Sequence, residues 1–212
     1  MRPLRQRVEA IARRSRSAQI ALAVGWLIAL EVPVLFAVYP YVERLSHRSM
    51  LAGVAVQVAA YALVALPVIA VAPGLLNLYR RRWNQWLAGL LLLSMSFLYV
   101  MSVGHMSLTT GILRLVQQLS TGFAEETVFR GFVFAKGLAF QRGVQFAVAV
   151  TSVLFALIHI PQVIYLHDTL NAALIELLVD LTIGTFLCLV RYWTKALVLP
   201  SLLHAAINLP GV

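Results

Sequence analysis

The sequence predicts an all-α, polytopic membrane bundle of roughly six to eight spanning helices, and three observations carry that prediction. Apolar residues make up 61% of the 212-residue chain and charged residues only 12%, with a mean hydropathy of +0.86, whereas a soluble domain carries about 25% charge. The apolar residues form continuous runs of spanning length instead of alternating, which favours helices over a transmembrane barrel. The net charge of +9 gathers between those runs. That pattern suits cytoplasmic loops resting on anionic lipid, and it argues against nucleic-acid binding. The single cysteine, Cys188, excludes an internal disulfide and reads as a small buried residue.

Taken in order, residues 1–17 hold six arginines and form a basic, cytoplasmic, lipid-facing segment. Ala18 to Tyr39 is too long for a signal-peptide core and reads as the first spanning helix. Glu31 lies inside it beside Val32-Pro33. Pro40 to Ser49 is a short mixed-charge loop. Met50 to Ala72 is the second helix, bent at Pro67 and ended by Pro73-Gly74. Arg80-Arg81-Arg82, with Trp83 and Trp86 after it, marks a headgroup boundary. Trp86 to Gly104 is the third helix. Residues 18–106 thus form an amino-terminal set of spanning helices, and 107–212 form the region that carries the chemistry.

In that second region Ser107 to Ser120, with Arg114, Gln117 and Gln118, reads as a short interfacial or buried helix. Phe123 to Phe140 follows as a separate helix. Val144 to His159 is another, stopped at Ile160-Pro161. Pro161 to Thr169 is a loop. Asn171 to Val190 is a helix interrupted by Glu176 and Asp180, to which no role is assigned. Arg191 to Lys195 is a basic turn, and Ala196 to Leu209 is the last helix.

Ionisable groups inside a bilayer cost several kcal/mol, roughly 2.5–3.5 on insertion scales, and are by default functional. Glu125, Glu126 and Arg130 stand within six positions of one another. Glu126 and Arg130 are four apart and share a helix face, so they are set up to pair. Glu125 points about 100° away, towards something else. His159 closes the following helix. His204 and Asn208, four apart, share a face of the last one. Alternating helix directions bring Glu125, His159, His204 and Asn208 to one side of the membrane at similar depth. Carboxylate, imidazole and amide together make a general-base and oxyanion-stabilising set.

These residues carry a resemblance. Glu-Glu-x-x-x-Arg at 125–130, Phe-x-x-x-His at 155–159 and His-x-x-x-Asn at 204–208, in order on three apolar helices, resemble the CAAX protease and bacteriocin-processing (Abi) family. That family includes the Ras-converting CAAX endopeptidases. The likeness spans about Ser120 to Pro210, and Leu181 to Leu202, with Gly184, Tyr192 and Pro200, adds to it. It implies an intramembrane endopeptidase acting on a membrane-associated protein or peptide. Glu125 is then the base that activates water, and His159 holds that water. His204 and Asn208 stabilise the oxyanion, while the Glu126–Arg130 pair braces the site or steers the substrate.

The reading implies no cofactor, with zinc as the alternative: Glu125, His159 and His204, with Glu126, are ligand types for that metal. Against zinc, His-Glu-x-x-His is absent and adjacent glutamates diverge on a helix. A non-catalytic bacteriocin-immunity or interaction protein on the same scaffold is the second class of function. A transporter is disfavoured, because the polar residues concentrate after Thr121 with no inverted halves. The abundant arginine, short loops and basic amino-terminal segment point to a prokaryotic inner membrane with the N-terminus in the cytoplasm.

Overall fold

In a computed structural model of the chain, residues 39–80, 83–139, 143–166 and 169–211 are described. They form helices throughout, with no strand among the described residues. The order is α1 (Tyr39–Arg48), α2 (Met50–Val71), a 3₁₀ turn (Pro73–Leu76) leading into α3 (Asn77–Arg80), and α4 (Trp83–Val103). Then come α5 (Leu108–Glu126), a π-helical segment (Thr127–Val133), α6 (Phe134–Ala139) and α7 (Gly143–Leu166). The chain closes with α8 (Leu170–Thr194), α9 (Val198–Asn208) and a 3₁₀ turn (Leu209–Gly211).

Four described helices are long and apolar enough to cross a membrane: Met50–Ala70, Trp83–Val103, Gly143–Ile160 and Leu170–Thr194. The predicted helical membrane bundle is therefore what the chain forms. The basic segment 1–17, Glu31 and nearly all of the expected first span lie outside the described residues.

Three local expectations are corrected. Residues 40–49 are not a loop. Pro40 sits in the first turn of α1, where a missing N–H costs nothing, and Val42 is buried. Ser49 then caps α2, its hydroxyl accepting from Ala52 N at 3.4 Å. Residues 107–140 are not two helices either. The backbone runs helically from Leu108 to Ala139 without a break at Thr121-Gly122. Gly122 is small because α9 passes there: a Cβ on it would lie 2.6 Å from the Ser201 carbonyl oxygen. Nor does Pro161 stop α7, which continues to Leu166. Proline removes one helical N–H, a loss that membrane helices tolerate. A smaller difference is that α8 includes Arg191 and ends only at Thr194. Lys195 closes it in the left-handed region (φ 56°), its N–H donating to the Arg191 carbonyl.

The rod of α5, π segment and α6 is the axis of the bundle. On one side Val64 and Val68 of α2 and Phe155 and Ile158 of α7 pack on Val128, Phe129 and Val133 of the π segment. On the other, Leu93 of α4 and Val198, Leu202 and Ala205 of α9 meet Leu115, Leu119 and Phe123 of α5. α8 lies along α7. The outer faces are apolar and exposed, with Leu87, Leu91, Met95 and Leu98 on α4 and Leu174, Ile175 and Leu178 on α8. Such a surface fits hydrocarbon and not water.

Candidate active site

Glu125 and Glu126 end the last α-turn of α5, and the π segment begins at the next residue. A π turn is uncommon and concentrates at functional sites. Here it carries Arg130, and within it Thr127 to Gly131 and Val133 are all buried. The carboxylates are buried too, Glu126 at 0% and Glu125 at 3% exposure.

Burial on this scale demands partners. The Glu126 Oε1 atom accepts from Arg130 Nη1 at 2.8 Å and lies 2.9 Å from His204 Nδ1. Arg130 Nη2 donates to the Gly184 carbonyl at 3.1 Å, and the guanidinium lies over the Phe155 ring, Cζ 4.4 Å from its centroid. Gly184 permits this reach. A Cβ there would stand 3.3 Å from both Phe155 and the Ser152 backbone, so any side chain would push α8 and α7 apart by a few tenths of an ångström.

His204 is thereby shared. Its second nitrogen, Nε2, is 3.7 Å from Glu125 Oε2. Glu126 and Arg130 pair as their spacing predicts, and His204 extends that pair into a chain Arg130–Glu126–His204–Glu125. Glu125 Oε1 accepts a hydrogen bond from the Tyr61 hydroxyl at 3.1 Å, while Glu125 Oε2 is buried without a hydrogen-bond partner.

His159 joins the cluster through Phe155. The rings of His159 and His204 lie 4.7 and 5.7 Å from the Phe155 ring, centroid to centroid. His159 Nδ1 is 2.7 Å from the Phe155 carbonyl. A carbonyl only accepts, so Nδ1 carries the proton, and in the neutral ring Nε2 is left as an acceptor. Asn208, at the end of α9, stands one turn beyond His204. No hydrogen bond joins it to the network among the described residues.

Two residues near the site have no role in the sequence reading. Tyr61 belongs to α2, and its signal was the spacing Gln57–Tyr61, two polar side chains four apart in an apolar run. Asp180 had been seen but not placed. It lies within electrostatic range of His159, Glu125 and His204, and its Oδ2 is buried without a hydrogen-bond partner. At the far side of the rod, Tyr79 of α3 ties π segment to α9. Its hydroxyl is 2.8 Å from Thr127 Oγ1 and 3.4 Å from Ser201 Oγ. Burial pushes the Tyr79 phenol up to about 12.

Among the described residues no three His, Cys, Asp or Glu side chains are grouped to hold one ion. Glu126 Oε1 is already engaged by Arg130 and His204.

Fold and centre together define a helical membrane protein with a buried carboxylate–imidazole–guanidinium cluster. Residues 107–210 match the Rce1-like family model, described as type II CAAX prenyl endopeptidase Rce1-like. Over this stretch the chain is similar to the CAAX prenyl endopeptidases. No curated protein and no solved structure matches it. The matched stretch contains Glu125, Glu126, Arg130, His159, His204 and Asn208, and Tyr61 lies outside it.

Proposed function

We propose that the chain hydrolyses a peptide bond of a membrane-associated protein or peptide, using water activated by Glu125 and His159. The observation that carries this reading is the buried, unpartnered Glu125 Oε2 beside an imidazole, 3.7 Å from His204 Nε2. A water molecule donates one hydrogen to that oxygen and the other to His159 Nε2. Its lone pair is then free to attack the scissile carbonyl. The proton passes to Glu125, the hydroxyl bonds to carbon, and the carbonyl oxygen becomes an oxyanion. His204 and Asn208 stabilise that charge in a low-dielectric site. Glu125 then returns its proton to the leaving amine, and the carbon–nitrogen bond breaks. Arg130 holds Glu126, and Glu126 holds His204. No step uses a metal, so turnover should withstand a strong chelator.

Composition and charge support a multi-pass protein of a prokaryotic-type inner membrane, N-terminus cytoplasmic, its basic loops on anionic lipid. Comparative profiling of membrane and secreted peptide termini, wild type against Glu125→Ala, tests the activity. General-base loss should slow formation of the affected termini by about 10²–10⁴-fold. A cellular phenotype that survives Glu125→Gln combined with His159→Ala would support a non-catalytic immunity role instead.

A further inference from the structure

The catalytic carboxylate has two oxygens, and the terminal torsion of a glutamate is broad and nearly two-fold. A glutamate left to itself therefore exchanges its oxygens by rotation. A general base needs one of them held towards water. In this chain the two oxygens meet different neighbours: Oε1 accepts from Tyr61 at 3.1 Å, and Oε2 faces His204 at 3.7 Å without a hydrogen bond.

The Tyr61 contact is part of a register. Gln57 donates to Thr121 Oγ1 at 3.3 Å and accepts from Gln117 Nε2 at 2.6 Å. The pairs Gln57–Thr121 and Tyr61–Glu125 have the same sequence offset, 64 residues. α2 and α5 therefore run parallel and in step, each presenting polar side chains one turn apart. A helix that slid or rotated would break both pairs at once. The Gln57 amide, used at both ends, fixes the axial position at which the Tyr61 hydroxyl meets the carboxylate.

We propose that Tyr61 is a positioning residue for Glu125: its hydroxyl occupies Oε1, locks the carboxylate rotation and leaves Oε2 to take the proton from water. This rests on the proposed role of Glu125. It brings a helix outside the matched stretch 107–210 into the catalytic unit. Tyr61→Phe removes only the hydroxyl and keeps the ring.

Infrared spectroscopy of the full chain in lipid nanodiscs tests the proposal. The wild-type minus Glu125→Gln difference assigns the Glu125 carboxyl band, and Tyr99→Phe, an exposed tyrosine on α4, controls for generic tyrosine signals. In Tyr61→Phe the assigned band should shift. Formation of the Glu125-dependent termini should slow about 10–100-fold, as expected for a lost hydrogen bond to a charged group. An unchanged band overturns the proposal, and so does a shifted band with an unchanged rate. Termini equally abundant in wild type and Glu125→Gln overturn the proposed function itself, and with it any positioning role in that reaction. In that case the band reports only whether the Tyr61–Glu125 bond exists.

Discussion

The seam along the α5–π rod and the outer face of α4 are built on opposite rules. In the seam, Glu126 and Arg130 have no exposed surface and pair with each other at 2.8 Å. Across α4, Leu87, Leu91, Met95 and Leu98 are exposed with nothing particular to touch. Both regions belong in hydrocarbon, yet only one contains charge. The difference teaches how this fold carries ions through an apolar medium. Among the described residues Arg130, Glu126, His204 and Glu125 meet in series, so the buried guanidinium has a carboxylate against it. The outer face needs only apolarity, so its individual residues are interchangeable.

The contrast can be broken most forcefully at Arg130. Arg130→Met leaves Glu126 buried without its cation, and removing one partner of a buried pair costs about 3–5 kcal/mol. Thermal unfolding in detergent should show the loss, and an unchanged midpoint would mean that the seam is not held by charge. Asn208→Ala should leave that midpoint nearly alone while lowering turnover about 10²–10³-fold, the usual effect of deleting an oxyanion donor. A parallel fall in both would make Asn208 structural. Gly122→Ala, where the new Cβ meets the Ser201 carbonyl, should destabilise by roughly 1–3 kcal/mol through overpacking. Leu91→Ala on the outer face should change stability by less than about 0.5 kcal/mol. A larger loss there would show that the α4 face packs against something more specific than lipid.

Much of this was visible in the chain. Continuous apolar runs determined helices, because a membrane leaves the backbone no other way to satisfy its hydrogen bonds within one segment. The three spaced motifs carried the likeness to the CAAX protease family, and helical periodicity put Glu126 and Arg130 on one face. Pro161 reads as a stop, whereas a spanning helix tolerates one lost bond. The division between Ser120 and Phe123 is absent, and there the missing side chain of Gly122 admits α9. The seven-residue π segment left no signal, because its widened turn depends on packing around Phe129 and Arg130 and not on local propensity.

The sequence by itself therefore determined the class of fold, the family likeness of its second half, and which ionisable residues stand out from an apolar background. Spacing within one helix is a local property, so the Glu126–Arg130 pair could be read from it. Only the tertiary structure decided that His204 bridges the two glutamates, that Gly184 presents its carbonyl to Arg130, and that Tyr61 reaches Glu125 across 64 residues. Those contacts depend on how three or more helices rotate and slide against one another. That rotation is set by the summed packing of side chains far apart in the chain, which no local pattern encodes.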